Sequence, residues 1–173
     1  MVEERADRVE KFEARADRVE KPELYAELHD QARALLQGER DASANAANLA
    51  ALVFHTLPNL NWAGFYWLRG SELVLGPFQG KPACVRIALG KGVCGTAARD
   101  KRAIVVPDIE KFPGHIACDS ASRSEVVVPV MRAAKVIGVL DLDSPAPGRF
   151  DADDAAGLEA LARLFVLATD LEN

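Results

Sequence analysis

The sequence predicts an α+β sandwich, a single domain whose central, mainly antiparallel sheet carries helices on one face and loops with the site on the other. Three observations carry this expectation. Helical periodicity dominates before residue 60, hairpin texture runs from 62 to 143, and a helix with strong start signals closes the chain. At 173 residues the chain can bury a real core without disulfide or metal staples.

The first 21 residues are mostly charged and hold a direct repeat, RADRVEK at 5–11 and again at 15–21, closed by Pro22. Their apolar stripe is thin, so they read as a solvated helical or frayed extension. Two short repeats fall short of the sustained heptads of a dimerising helix. The expected division is an extension over 1–22 and a folded domain over 23–173. From Glu23 to Leu36, Leu24, Leu28, Leu35 and Leu36 recur at helical spacing, and Gly38 closes the helix. A second helix runs from Ser43 to Leu57 on a stripe of Ala46, Leu49, Ala50 and Val53, and Pro58 ends it.

Trp62–Leu68 and Leu73–Gln79 flank the turn Arg69-Gly70-Ser71 and read as a β-hairpin. Gly76, Pro77, Gly80 and Pro82 then break regularity. A short helix spans Gly92 to Arg99, a short strand Ala103 to Val106, and a long loop Pro107 to Ser124. Glu125–Met131 and Lys135–Asp143 form a second hairpin. In the closing helix Asp151 is the cap, Asp153 and Asp154 lie in the first turn, and Leu158, Leu161, Phe165 and Ala168 are the buried stripe.

Composition excludes several classes. A net charge of -5 leaves no electrostatic footprint for nucleic acid or an anionic membrane. No apolar run is long enough to span a bilayer, and the opening MVEERADRVEK lacks the apolar core of a signal peptide. The expected location is the cytoplasm, where thiols stay reduced and a disulfide is transient or catalytic.

All three cysteines, Cys84, Cys94 and Cys118, fall within 35 residues and sit in polar or turn-like settings: KPAC, GKGVCG and FPGHIACD. That clustering points to thiol chemistry, metal binding or redox sensing. Cys94 falls in the first turn of the short helix, where the dipole favours a thiolate, although a small buried hydrophobe is an equal alternative. Cys84, Cys94, His115 and Cys118 offer four potential zinc ligands, but apart from His115-x-x-Cys118 their gaps match no finger or ribbon. No metal is expected. Strand alternation places Trp62, Gly64 and Tyr66 on one face, and Asp141 and Asp143 on a face with Ile137 and Val139. Two acids ending an apolar face are costly to bury unpaired, so solvent at the strand end is the plainer reading. Glu125 opens the neighbouring strand. Carboxylates beside aromatic rings would suit a small cationic group such as an amino acid's ammonium.

The segments GPFQGKPACVRI at 76–87, GKGVCGTA at 90–97, VPDIEKFPGHIACDSASRSEVVVPV at 106–130 and IGVLDLDSP at 137–145 together resemble the free methionine-(R)-sulfoxide reductases, which are GAF-domain enzymes. The resemblance runs from about Asn61 to the final helix, roughly two-thirds of the chain. It implies a GAF-like fold and a role for each matching residue: Cys118 as nucleophile, Cys84 as resolving cysteine, Cys94 as auxiliary partner. It implies Trp62 and Tyr66 as an aromatic wall around the substrate methyl group, and Glu125, Asp141 and Asp143 as acids that hold the substrate and assist at the sulfoxide oxygen. It further implies free methionine-R-sulfoxide as substrate, no bound cofactor, an external dithiol such as thioredoxin (ultimately fed by NADPH) as reductant, and a homodimer. The competing expectation is a GAF redox or small-molecule sensor, which would cycle its thiols without consuming sulfoxide.

Overall fold

The computed structural model describes residues 20–114 and 120–171. Residues 1–19, which hold most of the charged repeat, and 115–119, which include His115 and Cys118, lie outside them.

Helix α1 (Lys21–Leu35) starts two residues earlier than the leucine spacing suggests, because Pro22 sits in its first turn rather than ahead of it. Helix α2 (Ala42–Thr56) is capped by Asp41, whose side chain accepts from the Ala44 amide. Strands β1 (Trp62–Arg69) and β2 (Glu72–Gly80) form the first hairpin, with Arg69 opposite Glu72 and Gly70 at φ 63. A register shift opposite Gly64–Tyr66 absorbs Gly76 and Pro77, so these breakers bend β2 without ending it. Strand β3 (Arg86–Ala88) carries no legible sequence signal: only Ile87 of its three residues is buried, too short a run for alternation. Helix α3 (Gly92–Asp100), strand β4 (Ile104–Val106) and a 3₁₀ turn (Ile109–Lys111) follow. The stretch expected as loop from Pro107 thus contains an ordered turn anchored by buried Ile109. Strands β5 (Ser124–Arg132) and β6 (Lys135–Ser144) make the second hairpin, and α4 (Ala152–Ala168) closes the fold with a capping box on Asp151 and Asp154.

All described strand pairs are antiparallel, in the order β3-β2-β1-β6-β5-β4, with a three-residue strand at each edge. The α+β expectation holds. Helices α1, α2 and α4 cover one face over a core that includes Leu28, Leu49, Phe65, Leu140, Leu142, Leu158 and Phe165. The other face carries a second cluster, with Trp62, Tyr66, Ile87, Val93, Cys94, Val127 and Val139, beneath α3 and the loops.

One face assignment changes. Val139 and Val136 point to the second cluster, whereas Ile137 packs on the helix side with Leu140 and Leu142. The register shift near Val130–Met131 leaves Ile137 without a partner across the hairpin, and such a bulge reverses alternation for the residues beyond it.

Candidate active site

The central strands β1 and β6 pair with Trp62 opposite Asp143, Gly64 opposite Asp141 and Tyr66 opposite Val139. Strand β5 adds Glu125 opposite Asp143. Side chains of period two on three adjacent strands therefore bring the aromatic and acidic residues to one patch. Trp62 stacks on Tyr66 at 5.8 Å and on Phe78 at 5.3 Å. Gly64 lies beneath this stack: a Cβ there would stand 2.4 Å from the Phe78 Cβ. Trp62 Nε1 donates to the Lys81 carbonyl at 3.2 Å, and Tyr66 Oη donates to the Cys84 carbonyl at 3.0 Å. The two rings thus fasten the loop that carries Cys84. Burial, then the nearby acids, push the Tyr66 hydroxyl well above its ordinary range, so it stays protonated and keeps donating.

The acids are deeper than a solvated strand end would place them. Glu125 and Asp141 are each 6% exposed, and Asp143 is half-buried. Glu125 and Asp141 share a hydrogen bond in which the protonated Glu125 is the donor. Burial, reinforced by Asp141 and Asp143, raises the Glu125 carboxyl well above the usual carboxylate range. Burial also raises Asp141, to about 7, against hydrogen bonds from Cys94 and Glu125 that favour its ionised form. Like charges in one desolvated space cannot both ionise cheaply, so the pair carries one proton between them near neutrality. Among the described residues Asp141 Oδ1 is buried and accepts no hydrogen bond.

Of the two readings open for Cys94, a thiolate at the helix start and a small buried hydrophobe, its position matches the second. It is 3% exposed and belongs to the apolar cluster, despite its polar-looking GKGVCG setting. Its thiol donates to Asp141 Oδ2 at 3.2 Å and lies 4.0 Å from Glu125 Oε1. Burial first, and then these acids, push the thiol well above its ordinary pKa. The helix N-terminus therefore does not produce a thiolate here: burial, joined by two nearby acids, outweighs a terminal dipole effect of under about 1 kcal/mol. Cys94 is the free thiol of the described residues, whereas half-buried Cys84 is disulfide-bonded. The nucleophile expected from the sequence, Cys118, and its neighbour His115 lie outside the described residues.

A cavity opens over this patch, lined by Trp62, Tyr66, Glu125, Asp141 and Asp143 together with Cys94. Its rim adds residues the sequence reading did not select: Lys81, Pro82, Ile87 and Ser122. Ser122 accepts from Asn61 Nδ2 at 3.0 Å, and the backbone of Arg123 bonds to Ser144 at 2.7 Å, so the segment after the loop is held against β6. The GKPAC and ASRSE runs were the available signal, since both place polar residues in turns flanking strand ends. The arrangement is acidic and aromatic at once, so it can hold a small cation with an apolar appendage and supply a proton from a buried carboxyl group.

A GAF domain model matches residues 43–170. The free methionine-R-sulfoxide reductase of Escherichia coli is 50% identical over 149 residues, which cover 85% of this chain and 90% of that one. That of Saccharomyces cerevisiae is 47% identical, covering 75% and 77% respectively. A solved free methionine-R-sulfoxide reductase from Neisseria meningitidis, in complex with its substrate, superposes with a TM-score of 0.84 at 43% identity, over 87% of this chain and 90% of that one. The chain belongs to the free methionine-R-sulfoxide reductase family of GAF-domain proteins.

Proposed function

We propose that the protein reduces free methionine-R-sulfoxide to methionine, with Cys118 as nucleophile and Cys84 as resolving cysteine. The observation that carries this reading is the buried Glu125–Asp141 pair facing the Trp62–Tyr66 wall in one cavity, within a chain so similar to reductases of that name. The unpartnered Asp141 oxygen suits the substrate ammonium, together with Asp143 at the more open side. The stacked rings suit the S-methyl group. Glu125, protonated near neutrality, suits the sulfoxide oxygen.

In the cycle the Cys118 thiolate attacks the sulfoxide sulfur as Glu125 gives its proton to oxygen. Transfer of that oxygen to Cys118 leaves a sulfenic acid and releases methionine. The Cys84 thiol then attacks the Cys118 sulfur, forming the S–S bond and releasing water. An external dithiol, of which thioredoxin is the expected example, attacks the disulfide and returns both thiols, supplying the two electrons spent on the sulfoxide and leaving as a disulfide itself. The disulfide state of Cys84 fits the oxidised end of this cycle. No bound cofactor is required. The proposed setting is the cytoplasm, and the described helices include none long and apolar enough to cross a membrane. A homodimer is the proposed assembly.

The test offers R and S sulfoxides of free and peptide-bound methionine separately, with thioredoxin, its reductase and NADPH. NADPH consumption with the free R form alone is expected, and Cys118→Ser should abolish it with the circular dichroism spectrum intact. Thiol oxidation and reduction without methionine formation would identify a sensor instead, and activity on peptides alone would overturn the substrate class.

A further inference from the structure

We propose that Cys94, Glu125 and Asp141 form a binding site for a thiophilic divalent cation, zinc being the ion that fits. The spacing 94, 125 and 141 matches no metal motif, so the site is visible only after folding. Helix α3 supplies the sulfur, β5 and β6 the two carboxylates, and one donor atom from each lies within 4.8 Å of the others. The two sulfur–oxygen separations are close to the edges of a tetrahedron around one ion. Zinc–sulfur and zinc–oxygen bonds of about 2.3 and 2.0–2.2 Å at tetrahedral angles set a sulfur–oxygen edge of about 3.5 Å. The observed edges, 3.2 Å to Asp141 and 4.0 Å to Glu125, bracket that value. A side-chain adjustment of a few tenths of an ångström closes the difference.

A second observation points the same way. Asp141 is buried, and its Oδ1 is without a hydrogen-bond partner among the described residues. A buried carboxylate oxygen left unpaired on the wall of a cavity is stabilised by a cation entering that cavity. A thiolate with two carboxylates favours zinc over magnesium or calcium, which prefer all-oxygen sets of six or more. The cavity supplies the entry path. Binding replaces the Cys94 proton and the proton shared by Glu125 and Asp141, and both protons leave to solvent.

A functional consequence follows if the reductase reading holds, and it rests on that reading. An ion at this position occupies the carboxylates assigned to the ammonium and the sulfoxide oxygen, so zinc is a reversible inhibitor competitive with methionine sulfoxide.

The experiment uses the full chain with Cys84 in its disulfide, so that Cys94 is the thiol on offer. Cobalt is titrated in as a spectroscopic substitute, then displaced by zinc. The expected result is a thiolate-to-cobalt charge-transfer band and tetrahedral d–d absorption saturating at a single equivalent. Both should be lost in Cys94→Ser, and weakened in Glu125→Gln, which serves if the serine variant does not fold. Free methionine sulfoxide should compete with the band. No band in the native protein, or an undiminished band in both variants, overturns the site. If the prereduced protein shows no sulfoxide turnover even without zinc, the reductase reading falls while the cobalt band still decides the metal site. Turnover unaffected by zinc at saturating occupancy overturns the inhibition.

Discussion

Asp141 shows at the scale of a single residue how burial sets chemistry. Its carboxyl rises from an ordinary 3.8 to about 7, and burial raises Glu125 well above its ordinary value as well. Across that interval the native protein holds protons that the unfolded chain has released. Stability therefore falls as pH rises through the window from about 4 to about 7, with a penalty on the order of a few kcal/mol. The melting temperature of the substrate-free protein should drop by on the order of 5 °C between about pH 5 and about pH 8. Asp141→Asn should flatten that slope and raise the melting temperature at the alkaline end. Calorimetry over the range checks it, and an unchanged slope would sink the account. Cys94 yields a second expectation. A buried thiol held protonated by two acids reacts slowly, so in the reduced protein iodoacetamide should label Cys94 at least about tenfold more slowly than Cys84, as read by mass spectrometry of timed digests. The sequence showed which residue types would meet but not how deep they would lie. KGVCG looks polar because its glycines and lysine occupy a tight entry to α3, whereas the thiol itself turns inward beneath the helix.

At the scale of elements, α3 is seated by contact with the sheet edge rather than by length. Gly95 permits it: a Cβ there would stand 2.3 Å from the Ala88 carbonyl oxygen, which is backbone and cannot give way. Gly95→Ala should lift the helix from β3, lower unfolding free energy by about 1–3 kcal/mol and reduce sulfoxide turnover as Cys94 moves off Asp141. Urea denaturation beside steady-state kinetics measures both. Most elements were legible because each carried a strong local rule. Leucine spacing announced α1, Asp151 with two following acids announced α4, and Gly70 announced the first turn. The second hairpin was legible from its strands alone: its turn places Ala133 at φ 53, a conformation that glycine would adopt more easily. Strand β3 stayed hidden, since three residues with one buried side chain give alternation nothing to repeat. The bulge at Ile137 stayed hidden too, because an extra residue leaves no mark in an apolar run.

The whole molecule is held together on the face opposite the cavity. Buried Asp154 of α4 accepts from Tyr25 at 2.9 Å and Lys21 at 2.5 Å on α1, and from Arg149 at 3.0 Å, which also donates to the Pro58 carbonyl after α2. One carboxylate and one guanidinium thereby join three helices. The Asp154 and Arg149 side chains are 1% and 9% exposed, so this pair is little screened. Arg149→Met should lower unfolding free energy by about 3 kcal/mol, part of the buried charge remaining matched by Lys21, while leaving KM for the sulfoxide unchanged. Denaturation curves and kinetics on one preparation test both halves. The sheet stands between this cluster and the cavity. That separation made the fold easier to read than the site: the helix-side core obeys simple periodicities, whereas the cavity depends on cross-strand register, and no single segment of the sequence carries that.

The short outer strands have a consequence for how copies of this chain can meet. At either margin the sheet offers a stranger three residues of backbone, Arg86–Ala88 or Ile104–Val106, before the chain turns away. So brief a template gives an approaching strand little to zip onto, which guards a protein rich in valine-laden strands against runaway fibre growth. Among the described residues, lasting association is therefore favoured through side chains, where shape and charge can choose the partner.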